Sequence, residues 1–275
     1  MHLELHPQAA RLLAQIDDLR QRVGDLLEEQ AHLRAHAIPI LMATYEKEIG
    51  GFELALLAVR VEANELKFRV ESLMRIINRG ERVAADDLER IDTEVRKLQT
   101  VWQREMADKA RQVDAAQDFL KDAKYLSPDQ ELQIKKLYRA LCFLLHPDMK
   151  GDPALRETYW DHVQAAYAAG DLAALEALWI AARNGRGESV DEQSSLDALT
   201  EERDRLEHLV LEHTRRIAET RQNPPLCLER ELGDPAWIAA KQEELRSAQA
   251  AMRARRDELR ALCDQLMAKS AIQVH

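Results

Sequence analysis

An unbroken apolar seam over residues 45–77 constrains the fold more than any other feature of the sequence. Its members are spaced alternately by four and three residues: Tyr45, Ile49, Phe52, Leu56, Val59, Ala63, Leu66, Val70, Leu73 and Ile77. This spacing places them on one face of a helix, as in coiled coils. Because 32% of the residues are charged, so long a run without a charged member is not expected by chance. The seam predicts a long helix with a packed partner.

The chain offers that partner directly after the seam. Gly80 is predicted to be a left-handed helix cap, and Asp86 with Glu89 matches a capping box for the next helix. A second seam follows at Leu88, Ile91, Val95, Leu98 and Trp102. We therefore predict a long helical hairpin over residues 39–126. Gly50 and Gly51 lie within its first arm, where a bend or a close helix contact is favoured over a functional hinge.

Similar seams predict helices on either side of this hairpin. Residues 1–38 carry one that includes Leu12, Ile16 and Val23, and Pro39 is expected to separate it from the hairpin. Residues 184–194 are rich in glycine and polar side chains and predict a linker. Residues 195–275 predict a second helical hairpin that turns at residues 223–225. Its apolar tip, from Leu226 to Trp237, either folds back on the helix ends or forms a docking patch.

The composition extends this interpretation to the whole chain. Aromatic residues are only 5%, and there are few turn-forming residues, with 9 Gly and 8 Pro. Strand-rich proteins need frequent turns and aromatic or β-branched runs. The predicted fold class is therefore all-α: long antiparallel helical hairpins flanking a small helical module over residues 127–183.

Charge and cysteine usage exclude several classes of function. A net charge of −10 does not suit nucleic acid, which requires a basic surface. No apolar run is long enough to span a membrane, and no signal peptide is evident. The three cysteines, Cys142, Cys227 and Cys263, are far apart in the sequence and do not have the spacing of metal ligands. His32 and His36 lack the adjacent glutamate of a zinc protease motif. We expect a reduced cytoplasmic protein that uses no cofactor or metal and is not itself an enzyme.

The module at residues 127–183 has shorter helices and more aromatic residues. Ser127-Pro128-Asp129-Gln130 predicts a capped helix start, and the helix ends where His146 precedes Pro147. Proline fixes its own backbone angle, so the turn keeps its shape. His146 lies at a helix C-terminus, where partial positive charge is favoured, and ionised Asp148 suits an arginine of another protein. The predicted core of the module is Tyr138, Leu141, Leu145, Trp160, Val163 and Tyr167.

The segment from Leu137 to Asp148 resembles the second helix and the His-Pro-Asp loop of DnaJ-type J domains. Ala166-Tyr167 resembles a pair near the end of the third J-domain helix, and Trp160 stands where the family usually has a phenylalanine. The resemblance covers only residues 127–183. The long flanking helices are similar, more loosely, to bacterial coiled-coil proteins with an internal J module. The usual first J-domain helix has no counterpart, and we expect the segment from Phe119 to Lys124 to replace it.

The resemblance implies a function for the turn. J domains bind a DnaK-type heat-shock chaperone and stimulate its ATP hydrolysis, which would assign this role to His146, Pro147 and Asp148. The residues expected to form the basic contact face are Lys135, Lys136, Arg139 and Lys150. The coiled-coil arms would recruit a client that is unknown from the sequence. The alternative is a coiled-coil scaffold with a degenerate J-like module. Pairing of the seams within one chain or across a homo-oligomer stays open, because both bury the same residues.

Overall fold

The computed structural model describes residues 7–122, 126–149, 151–184 and 196–272, and within these ranges all regular structure is helical. The predicted all-α class is confirmed. Lys150 and residues 185–194 of the predicted linker lie outside the described residues. The helices are α1 (Pro7–His32), α2 (Ile38–Tyr45), α3 (Gly51–Asn78), α4 (Ala85–Asp122), α5 (Pro128–Leu145), α6 (Pro153–Ala168), α7 (Leu172–Asn184), α8 (Leu196–Gln222), α9 (Glu229–Leu232) and α10 (Pro235–Ile272).

Pro39 does not end a helix, contrary to the prediction. Helical backbone continues from α1 through a π-helical turn, Leu33–Ala37, into α2. Within this wider turn the N–H of Ile38 reaches back to the carbonyl of Leu33. Proline has no N–H to contribute to a regular helix, and a π turn is one way to accommodate such a position. A second π turn, Glu46–Gly50, joins α2 to α3.

The chain divides into two compact units, and the first comprises residues 1–40 and 124–228. In this unit α1 packs along α8 and also against α5, while α5, α6 and α7 pack on one another. Its core is continuous and includes Val23, Leu141, Val163, Leu175 and Leu206.

The predicted core of the 127–183 module is confirmed, except that Trp160 is only partly buried. The segment from Phe119 to Lys124, expected to replace the first J-domain helix, lies partly outside the described residues, and that expectation stays a prediction; Phe119 itself is 43% exposed on α4. Within the first unit, α1 and α7 both pack on α5.

The second unit comprises residues 41–123 and 229–275. The chain turns at Gly80, whose φ of 75° confirms the predicted cap. Helices α3 and α4 run antiparallel, because Arg69 pairs with Asp92 while Glu65 accepts from Gln99 further along α4. The predicted capping box at Asp86 and Glu89 is displaced. The helix starts at Ala85, so it is the Asp87 carboxylate that accepts from the Ala84 N–H, at 3.0 Å.

Both arms of the hairpin predicted over residues 195–275 pack on helices other than those expected. Helix α8 packs along α1 in the first unit, and α10 packs along α3 in the second. An amphipathic seam specifies which face is buried but not which helix covers it. At the predicted apolar tip Leu226 and Leu232 are only 5% and 6% exposed, which favours the folded-back interpretation.

Gly50 allows a close helix contact, one of the interpretations favoured from sequence. A Cβ atom there would lie 2.9 Å from Val113 Cγ2 and closer still to the Glu46 carboxylate. Gly51, in contrast, has open space around it.

Candidate partner-binding turn

The turn of interest joins α5 to α6. Helix α5 begins with the predicted capping box, in which Ser127 Oγ accepts from the Gln130 N–H at 3.2 Å and Gln130 Oε1 accepts from the Ser127 N–H at 3.1 Å. It ends at His146, whose extended backbone (φ −66°, ψ 139°) agrees with its place before a proline. Asp152 caps α6 by accepting from the Ala154 N–H at 2.8 Å.

Two backbone hydrogen bonds give the turn its shape. The N–H of Met149 donates to the carbonyl of His146 at 3.0 Å, and the N–H of Gly151 donates to the carbonyl of Met149 at 2.7 Å. Gly151 lies so close to α5 that a Cβ atom would be 2.0 Å from the carbonyl oxygen of Leu144. A residue with a side chain cannot take this position without a backbone shift. The turn therefore requires glycine at position 151.

His146 is half-buried at the end of α5. Its ring meets Trp160 edge-on, with 5.0 Å between centroids, and its Nδ1 accepts from the Asp148 N–H at 3.1 Å. Burial lowers the pKa of His146 to about 4, and this outweighs the opposing effect of Asp148. The ring is therefore neutral at pH 7, with its proton on Nε2. Desolvation of the ring therefore outweighs the preference of a helix C-terminus for positive charge, which was expected at this position.

Asp148 contacts two side chains of α8. Its Oδ2 lies 3.1 Å from His213 Nε2, and its backbone carbonyl accepts from Arg205 Nη1 at 2.8 Å. The carboxylate side chain is still 35% exposed. Pro147 beside it is exposed, while Met149 is buried in the core and anchors the turn from the other side.

His213, which sequence reasoning did not single out, lies beside the turn. It lies on α8, is only 1% exposed, and apart from Tyr138, Tyr167 and Cys142 is the one polar side chain among the buried residues that the structure describes. Gln30 Nε2 lies 3.0 Å from its Nδ1, so the proton is on Nε2 and faces Asp148, although not aligned as a hydrogen bond. Burial lowers the pKa of His213. The available signal was the position of His213 on the same helical face as Leu199, Leu206 and Ile217.

The predicted basic face is only partly available. Lys135 Nζ lies 2.7 Å from Glu131, and Arg139 Nη1 lies 2.5 Å from Asp25 of α1. Lys136 is exposed. Lys135, Lys136 and Arg139 thus share α5 upstream of the turn, but α1 already supplies Arg139 with a carboxylate.

Cys142 lies on α5 one turn before His146 and is buried. Burial raises the pKa of the Cys142 thiol, which disfavours a nucleophilic thiolate. Within the described ranges no group of histidine, cysteine and acidic side chains is arranged to hold a metal. The described helices also include none with the length and apolar content needed to cross a bilayer. Comparison of the chain with protein-family models, curated proteins and solved structures found no match.

Proposed function

We propose that this chain is a J-domain co-chaperone that binds a DnaK-type heat-shock chaperone and stimulates its ATP hydrolysis. One observation carries the proposal. The His-Pro-Asp turn connects two helices that pack on each other, and it leaves Pro147 and part of the Asp148 carboxylate at the surface. The proposal places the chain in the cytoplasm, with its long helices recruiting a client.

In this proposal the turn acts as a trigger. Pro147 and the backbone hydrogen bonds of the turn hold the Asp148 carboxylate in one place, so little ordering is needed on binding. An arginine of the chaperone is the natural partner for that carboxylate. All catalytic groups belong to the chaperone, and this chain supplies binding free energy that favours the hydrolysis-competent state.

A coiled-coil scaffold with a degenerate J-like module is the second candidate. Internal contacts favour it: Asp148 faces His213, its carbonyl accepts from Arg205, and Arg139 pairs with Asp25. In a scaffold these contacts are permanent, and the turn only links two helices.

Single-turnover ATP hydrolysis by a purified DnaK-type chaperone, measured with increasing amounts of the full chain, separates the two candidates. For the co-chaperone we expect stimulation that disappears in His146→Gln and in Asp148→Asn. His162→Gln and Asp152→Asn are matched controls, since His162 is exposed on α6 and asparagine caps a helix as well as aspartate. No stimulation by the folded wild-type chain at saturation would support the scaffold.

A further inference from the structure

Helix α8 lies against the His-Pro-Asp turn. Two of its side chains reach Asp148, one at the carboxylate and one at the backbone carbonyl: His213 Nε2 at 3.1 Å and Arg205 Nη1 at 2.8 Å. The carboxylate thus already faces an N–H donor from its own chain. An arginine from another protein would compete with His213 for the same oxygen.

The contact is built into the first unit rather than being an incidental surface pair. Gln30 of α1 contacts both Nδ1 and the carbonyl oxygen of His213, at 3.0 Å and 3.4 Å. Arg205 is held in turn by Glu202, at 2.9 Å. Helix α8 is also fixed along α1 by buried side chains at Leu199 and Leu206.

From this geometry we infer that α8 is an autoinhibitory clasp on the His-Pro-Asp turn. The clasp consists of His213 and Arg205, and the turn is fully available to a partner only when they release Asp148. The inference rests on the proposed function, since it specifies how the same turn is regulated. Pro147 remains exposed when the clasp is closed, so a partner can make first contact before the clasp opens.

The clasp has a quantitative consequence. If the turn is open for only a fraction of the time, the apparent affinity for the partner falls by that fraction, while the maximal effect at saturation is unchanged. Opening the clasp by mutation should therefore shift the half-maximal concentration and not the plateau. Couplings of this kind are typically about fivefold or larger.

The test compares the wild-type chain with the double variant Arg205→Ala/His213→Leu, in which leucine keeps most of the buried volume. Arg221→Ala is the matched control, because Arg221 ties α8 to α1 through Glu29 at 2.9 Å without touching the turn. Two measurements are made on each full chain: ATPase stimulation of a purified DnaK-type chaperone, and hydrogen exchange at the backbone amides of His146, Asp148 and Met149.

We expect faster exchange at the turn in the double variant, and half-maximal stimulation at a concentration roughly fivefold lower or more. Arg221→Ala should match the wild type in both measurements. Equal half-maximal concentrations for the double variant and the wild type would overturn the clasp. So would weaker stimulation by the double variant, because α8 would then position the turn rather than block it. No stimulation by any chain, together with faster exchange in the double variant, would keep the clasp and overturn the proposed function.

Discussion

His213 of α8 and Asp148 of the His-Pro-Asp turn face each other with 3.1 Å between Nε2 and Oδ2, although they are distant in the sequence. The histidine is almost completely buried, whereas the aspartate remains partly exposed. The pair therefore lies at the edge of the core, with its acidic member toward the solvent. It links the candidate binding turn to a helix that the J-domain resemblance does not include.

Acidification should destabilise the first unit. The pKa values of His146 and His213 are lowered by burial, that of His146 to about 4, against 6.5 in an unfolded chain. The unfolded state then binds more protons between these values, so stability is complete above pH 6.5 and is lost as the pH falls toward 4. For His146 the loss is on the order of 3 kcal/mol at most. Amide hydrogen exchange of α5 at pH 7.5 and pH 5 measures it.

The charged groups around His146 also change its pKa. Asp148 raises the pKa of His146, while His213 and Arg34 lower it further. His146→Gln removes the titrating ring and should lose less stability between pH 7.5 and pH 5 than the wild type. His162→Gln, at an exposed position of α6, is measured beside it as a control for the substitution itself. Identical pH dependence in His146→Gln and the wild type would contradict the assignment.

Local features of this chain could be predicted from sequence because they depend on neighbouring residues. The capping box at Ser127, the left-handed Gly80 and the core of the 127–183 module all follow from residue type and helical spacing. The same rules place His146, Pro147 and Asp148 together at the end of α5. Local patterns failed at Pro39, where a π turn accommodates a residue that was expected to end the helix.

Long-range contacts of the candidate site could not be predicted in this way. Nothing in the local pattern indicates that Gln30 of α1 meets His213 of α8, or that Asp25 meets Arg139. Seams with the same spacing can pair in several combinations that bury similar apolar area, so the choice depends on details such as the close approach of Gly24 to Phe143. The contact between α8 and the His-Pro-Asp turn therefore depends on which helices pair with each other.

Gly151→Ala should disturb the turn. The new Cβ would lie 2.0 Å from the carbonyl oxygen of Leu144, and because this neighbour is backbone, the turn itself must move. We expect a loss of about 1–3 kcal/mol in the free energy of unfolding. Gly51→Ala is the control, since nothing lies within 4 Å and alanine favours the helix by about 1 kcal/mol. The melting temperatures of the two variants should shift in opposite directions. A shift in the same direction would refute the close approach of Gly151 to the Leu144 carbonyl.

Tyr167→Phe tests the packing of α1 on the module. The Tyr167 hydroxyl donates to Glu28 Oε1 of α1 at 2.7 Å, and the ring is only 2% exposed. A buried hydrogen bond to a charged acceptor contributes about 1.5–3 kcal/mol, so urea unfolding should show a loss of roughly that size. Glu28→Gln keeps an acceptor and should cost less. A negligible loss in the free energy of unfolding for Tyr167→Phe would mean that this hydrogen bond does not hold α1 on the module.

Leu259→Ala and Leu262→Ala test which face of α10 is buried on α3. Both leucines lie in the segment 195–275 that the sequence predicts to be helical, but Leu259 is 5% exposed and packs with Ala63 and Val70, whereas Leu262 is 36% exposed. Removing a buried leucine leaves a cavity and costs about 2–5 kcal/mol, whereas a surface truncation costs well under about 1 kcal/mol. Urea unfolding of the second unit, monitored by hydrogen exchange of α3, measures the loss in free energy of unfolding for both variants. A larger cost for Leu262→Ala than for Leu259→Ala would show that α10 presents a different face to α3, because a helix turned about its axis would bury Leu262 instead.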